Sequence, residues 1–195
     1  MTLADFYEKN HAEYFNSTVD IEPASFLVPL TRFLHSEATI LDIGCGSGRD
    51  LSWFQKHGYC PTGFERSPGL ARLAAQHSGC PVIKGNFLTY DFNTLSFDAL
   101  VFIGSLVHLS RDMLTPVINS TSQALNKKGH ILLTLKEGKG TSQTADGRLF
   151  TLWSRNELTR VFRSCGLEFV DFSRVVSKLR KEDIWLGFVL RRIND

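Results

Sequence analysis

Apolar positions along the chain fall into short runs, and segments with helical spacing separate them. The run in "TILDIGC" is followed by "RDLSWFQKHG", whose apolar residues recur at the helical period and stop at a glycine. "CPTGFE" reads as a second short strand, and "PGLARLAAQHSG" opens with proline behind a serine and closes on glycine, as a helix does. "PVIKG" is a third strand. "FDALVFIG" is almost continuously apolar, the mark of a strand covered on both faces. "TPVINSTSQALNKKG" predicts a helix capped by Thr115 with Pro116 in its first turn, and "HILLTLK" a fifth strand. "SRNELTRVFRSCG", "LEFVDFSRVV" and "DIWLGFVLRR" then read as one helix and two long strands, which pair antiparallel because no helix separates them. Ahead of the first strand, Phe6, Tyr7, Tyr14 and Phe15 at helical spacing and the apolar "SFLVPLTRFL" mark a helical N-terminal region over residues 1–36.

Strands alternating with helices imply right-handed crossovers, a mostly parallel sheet and helices on both faces: a doubly wound, Rossmann-like α/β fold. In such a sheet the ligand lies beyond the carboxyl ends of the strands, near the point where strand order reverses. A chain of 195 residues, 43% hydrophobic, is expected to form one domain over 1–195. Twenty-two basic against twenty acidic residues leave a net charge of +2, too balanced to argue for nucleic acid from composition. The basic residues nonetheless crowd the C-terminal end, at Arg174, Lys178, Arg180, Lys181, Arg191 and Arg192. Cys45, Cys60, Cys80 and Cys165 lack C-x-x-C spacing and zinc-finger histidine partners, so neither a metal nor a redox pair is expected. No signal-peptide pattern and no membrane-length apolar stretch is present, and the expected compartment is the cytoplasm.

The chemistry begins at "ILDIGCGSGRD", where Gly44, Gly46 and Gly48 alternate directly after the first strand. A dinucleotide fingerprint would place its third glycine where Arg49 stands, and no G-K-[ST] follows, so NAD and nucleoside triphosphates are the weaker readings. The segment instead resembles motif I of the class I S-adenosylmethionine-dependent methyltransferases, and further motifs follow in order. That resemblance implies a seven-stranded sheet of order 3-2-1-4-5-7-6 with one antiparallel strand, and S-adenosylmethionine as cofactor. It implies that the Gly44–Cys45–Gly46 turn and Gly48 pass under the methionine and ribose, that Asp42 organises the loop, and that Glu65, in "TGFERSP" beside Arg66, accepts from the ribose hydroxyls. A carboxylate has two oxygens for two donors. "KGNFLTYDF" resembles the adenine-binding turn, with Asn86 where the family has aspartate, and Phe87 at the adenine edge. "SFDALVFIGSLVHL" resembles motif IV, with Ile103 and Gly104 at the cofactor. Arg49 is similar to an arginine of small methyltransferases of the tellurite-resistance and thiopurine type, implying a pair with the cofactor's carboxylate, and Tyr14 implies an N-terminal helix folded over the methionine.

Methyl transfer from an activated sulfonium needs alignment and exclusion of water, and needs a base only when the acceptor arrives protonated. His108 is the histidine placed near the expected transfer site and is the candidate base. The chain lacks both the [DN]-P-P-[YFW] turn of amino-methylating relatives and a cysteine in that region for attack on pyrimidine carbon. The segment "KEGKGTSQTADGRLFTLWS" is expected to be a long loop over the site, with Lys136, Arg148, Phe150 and Trp153 as candidate substrate contacts. The expected function is methyl transfer to O, N or S of a small-molecule acceptor. The alternatives are a tRNA-modifying methyltransferase, since "DGRLFTLWSRNELTRVF" and the basic C-terminal end resemble wobble-uridine enzymes, and a non-catalytic cofactor-binding partner protein. No membrane partner is expected, and nothing in the sequence points to an oligomeric state.

Overall fold

The computed structural model describes residues 3–178 and 180–193. Three short helices lead, α1 (Leu3–Lys9), α2 (His11–Thr18) and α3 (Ala24–Thr31). The alternating body follows: β1 (Thr39–Ile43), α4 (Arg49–Lys56), β2 (Cys60–Glu65), α5 (Pro68–Ser78), β3 (Val82–Lys84), β4 (Phe97–Ile103), α6 (Arg111–Thr121) and β5 (Leu125–Lys136). A two-stranded ribbon, β6 (Thr141–Gln143) and β7 (Leu149–Thr151), precedes α7 (Arg155–Ser164), β8 (Leu167–Val176) and β9 (Ile184–Arg192). The main sheet has order β3-β2-β1-β4-β5-β9-β8. Only β9 opposes its neighbours, so with the ribbon set aside this is the expected doubly wound sheet with one antiparallel strand.

Alternate residues of each central strand serve different layers, as a pleat requires. Leu41, Leu100, Leu133 and Phe188 pack in one core with α6 and α7, while Ile40, Val101, Leu132 and Val189 pack in another with Leu27 and Leu30 of α3 and Phe54 of α4. Local signals behave as their chemistry predicts. Ser67 caps α5 by accepting from Leu70 N–H, and Ser154 and Glu157 form a reciprocal capping box on α7.

Two elements depart from the pattern-based reading. Helix α6 begins at Arg111, behind Ser110, rather than at Pro116, which lies inside it. Burial explains the extra turn: Leu114, ahead of the proline, is fully enclosed and draws that turn into the helix. The expected long loop is largely the β6–β7 ribbon, paired Thr141 to Thr151 and Gln143 to Leu149, and closed by Thr144 N–H donating to Arg148 C=O at 3.0 Å.

Candidate functional site

The turn after β1 is shaped by its own backbone. Gly44, Gly46 and Gly48 have φ of 79°, 54° and 75°, in the left-handed region where a Cβ is strained. Gly48 is required by a neighbour, since a Cβ there would meet the Ala74 backbone of α5 at 2.8 Å. Its absence of side chain seats α4 against α5, not against a ligand. Gly44 and Gly46 are different: besides close approaches to Ser105 and Tyr14, both border a cavity of about 270 Å³.

That cavity lies at the carboxyl ends of β1, β2 and β4. Glu65, the last residue of β2, stands in its wall, with Oε2 accepting from Gly46 N–H at 3.1 Å and Oε1 from Arg66 and Ser67 N–H at 2.8 and 2.9 Å. These bonds lock the carboxylate to the glycine turn, and Oε2 keeps room for a further donor. Burial pushes its pKa up, against those three donors. Arg66, Asn86, Phe87, Ile103, Gly104 and Tyr14 complete much of the lining. Asn86 closes its own turn by accepting Leu88 N–H at 3.1 Å through Oδ1.

Three residues singled out in the glycine segment border neither cavity. Cys45 and Gly48 lie behind the turn. Asp42 is fully buried at the end of β1, with Oδ2 lacking a hydrogen-bond partner among the described residues. Burial, then the negative Asp50, raise its pKa well above the usual carboxylate range. Arg49 donates Nε to Asp50 Oδ1 at 2.7 Å and Nη2 to Oδ2 at 3.1 Å, and borders a second, larger cavity.

This second cavity, of about 440 Å³, meets the first at Tyr7, Tyr14, Ile103, Gly104 and His108, which border both. His108 Nδ1 lies 2.6 Å from Leu149 C=O. A carbonyl only accepts, so Nδ1 carries hydrogen and Nε2, 2.9 Å from the Tyr7 hydroxyl, accepts from it in the neutral ring. Burial first, then the nearby Arg148 and Lys136 charges, hold the imidazole below its usual pKa against the Leu149 bond. Tyr7 is raised above its usual value, mainly by burial, and remains a neutral hydroxyl. Arg148 Nη1 approaches the same oxygen at 3.5 Å while Asp146 holds the rest of the guanidinium.

Lys136, Arg148 and Phe150 border the larger cavity as the sequence led one to expect. Trp153 does not: it is a core residue, 3% exposed, with the Arg111 guanidinium 4.4 Å above its ring, and is withdrawn as a substrate contact. Tyr7, Phe26, Asp183 and Trp185 were missed. Only Tyr7 left a trace in the sequence, as part of the aromatic helical spacing; the others arrive from α3 and the β8–β9 end of the sheet.

Four of the six C-terminal basic residues are held by separate partners. Arg174 pairs with Glu137, Lys178 with Glu22 and Arg191 with Glu168, while Arg192 donates to Ser122 C=O. Among the described residues no helix is long and apolar enough to cross a membrane.

Residues 40–129 match the family model for a methyltransferase domain. Among solved structures, a Burkholderia thailandensis 1,6-didemethyltoxoflavin-N1-methyltransferase with bound S-adenosylhomocysteine is 22% identical, with TM-score 0.77 over 100% of this chain and 92% of its own. A SAM-dependent methyltransferase from Methanosarcina mazei is 17% identical, with TM-score 0.76 over 90% of this chain and 100% of its own. A TehB-like SAM-dependent methyltransferase from Corynebacterium glutamicum is 20% identical, with TM-score 0.68 over 97% of this chain and 98% of its own. No curated protein matches the sequence. The fold is that of the class I S-adenosylmethionine-dependent methyltransferases. Within it, the matched segment runs from β1 through the glycine turn to Gly129 in β5, the stretch that carries the motifs.

Proposed function

We propose that the chain is an S-adenosylmethionine-dependent methyltransferase acting on O, N or S of a small-molecule acceptor, working as a single domain with α1 and α2 closing the cofactor end. The observation that carries the reading is a pair of adjoining cavities, one walled by the glycine turn and Glu65, the other by aromatic and charged side chains, sharing a wall at Tyr7, Tyr14, Ile103, Gly104 and His108. The residues present fit the cofactor: Gly44 and Gly46, whose Cβ atoms would meet Ser105 and Tyr14, carry the turn along the cavity wall, and Glu65 keeps an acceptor position for a ribose hydroxyl. Asn86 and Phe87 would flank the adenine, and Tyr14 would cover the methionine end. The solved relative with S-adenosylhomocysteine, and a glycopeptide N-methyltransferase complexed with sinefungin, support the same assignment.

When bound, the cofactor supplies a methyl group on positively charged sulfur. The chain's own residues align the acceptor and exclude water at the shared wall. For an acceptor that arrives protonated, Tyr7 oxygen takes its proton as the Tyr7 hydroxyl proton moves to His108 Nε2. The resulting imidazolium keeps its Nδ1 bond to Leu149 C=O. Four of the basic C-terminal residues, Arg174, Lys178, Arg191 and Arg192, are engaged by separate partners across the surface and lend no support to an RNA substrate. Four cysteines free of disulfides accord with a reducing, cytoplasmic compartment.

Calorimetric titration with S-adenosylmethionine and S-adenosylhomocysteine tests the cofactor, and a screen of small-molecule acceptors with methyl-labelled cofactor tests the transfer. Absence of binding to both cofactors overturns the reading. Binding without transfer to any acceptor, together with capture of a protein partner, replaces it by a non-catalytic role.

A further inference from the structure

The larger cavity has a chemical character of its own. Five cations border it, Arg49, Lys136, Arg148, Lys178 and Arg180, against two acids, Glu22 and Asp183. Asp50, Asp183, Asp146 and Glu22 hold the first four, and Arg180 has no acidic partner among the described residues. The lining is therefore positive in net charge. The same field is felt at the shared wall, where Arg148 and Lys136 both oppose a charged His108 and Asp146 answers them more weakly.

The cations are set against flat rings. Lys136 Nζ lies 4.0 Å from the Phe150 centroid and 5.7 Å from that of Trp185, and Arg148 Cζ lies 5.7 Å from Phe150. The His108 ring, which borders both cavities, lies with its centroid 4.5 Å from that of Phe150. Aromatic walls next to fixed guanidinium and ammonium groups suit a ligand that is flat at one end and acidic at the other: the ring packs on Phe150 and Trp185, and the acid takes charge-assisted hydrogen bonds. A cationic acceptor would meet this surplus and the sulfonium together, and like charges brought together oppose binding. At about 440 Å³ the space falls among small-molecule sites, which run from ~300 to 1,000 Å³.

We propose that this cavity binds a planar aromatic acid as the methyl acceptor, with its ring against Phe150 and Trp185 and its anionic group among Lys136, Arg148 and Arg180. The proposal rests on the methyltransferase reading for the word acceptor, but the binding preference stands on the cavity alone.

The test compares three probes of one shape, 2-naphthoate, 2-naphthalenemethanol and 2-naphthylmethylamine, by calorimetry on the full chain with and without saturating S-adenosylhomocysteine. The naphthoate is expected to bind about tenfold or more tighter than the alcohol, in keeping with charge-assisted bonds, and the amine weakest. Arg180→Gln, at an exposed position, and Arg148→Gln should each weaken naphthoate about tenfold and leave the alcohol within about twofold. Equal affinities for acid and alcohol, a preference for the amine, or variants that bind naphthoate as the wild type does would overturn the proposal. If S-adenosylhomocysteine does not bind, the cofactor reading fails, and the probe series on the protein alone still decides the cavity's preference.

Discussion

The Tyr7 hydroxyl lies 2.9 Å from Nε2 of His108, across 101 residues of sequence, and both side chains border both cavities. This contact joins the N-terminal helix to the turn after β4 at the wall that the two cavities share. It orients the ring and gives Nε2 a donor, while burial, with Arg148 and Lys136, holds the imidazole below its usual pKa.

The linkage has a definite sign. The folded pKa of His108 is depressed below the unfolded value of about 6.5, so the unfolded chain binds the proton more readily. Stability from this group is present above that value and is lost as pH falls from it through the folded pKa. Thermal unfolding followed from pH 8 to pH 5 should show the loss, and His108→Gln should flatten that part of the curve. An unchanged slope would place the histidine in an ordinary solvated setting. Ring-carbon NMR should give His108 a pKa below 6.5, moving toward 6.5 in Tyr7→Phe.

Glu65→Ala should weaken S-adenosylmethionine by roughly 10- to 100-fold, the loss of about one charge-assisted hydrogen bond at ~1.5–3 kcal/mol. The variant also leaves Gly46, Arg66 and Ser67 N–H without their acceptor, so its melting temperature should fall too. Glu65→Gln separates the effects, since its amide keeps one acceptor oxygen. Wild-type cofactor affinity in both variants would remove Glu65 from the site.

Gly48 and Gly58 share a positive φ, 75° and 81°, but not their surroundings. An alanine Cβ at 58 meets nothing within 4 Å, whereas at 48 it meets Ala74 backbone at 2.8 Å. Gly58→Ala should cost only the left-handed strain, about 1–2 kcal/mol. Gly48→Ala should add an overpacking penalty of about 1–3 kcal/mol. Urea unfolding of the two variants measures the difference, and equal losses would mean α4 and α5 can separate without cost.

Glu8 Oε2 accepts from Ser67 Oγ at 2.6 Å and Gly69 N–H at 3.0 Å, strapping α1 to the start of α5. These bonds, led by that from Ser67, hold its pKa below the usual value, so the strap is kept above the unfolded pKa and lost as pH falls through the folded one. Glu8→Gln should raise amide exchange in α1 while exchange in β1 and β4 stays as it was. Uniform exchange across the chain would deny α1 a separate opening.

How much of this was readable beforehand depended on how local each cause was. β2, Cys60–Glu65, ran as its short segment was read, and β4, Phe97–Ile103, as its apolar run indicated, because burial on both faces leaves a continuous signal. Helix α7 formed within the segment read as a helix, "SRNELTRVFRSCG", and the structure shows Ser154 and Glu157 capping its start. The start of α6 did not, since the enclosed Leu114 outweighed the usual preference for proline in a first turn. The β6–β7 ribbon was hidden because three-residue strands carry too few positions to show alternation.

The sequence by itself determined the alternation of strands and helices, the glycine turn and the acid at the end of β2, because each follows from spacing within a few residues. Only the tertiary structure decided that Trp153 is core and Trp185 is wall, that Gly48 answers to α5, and that Tyr7 meets His108. Those facts depend on which surfaces remain uncovered once α1, the ribbon and the β8–β9 pair have packed, and burial of that kind is a property of distant segments brought together.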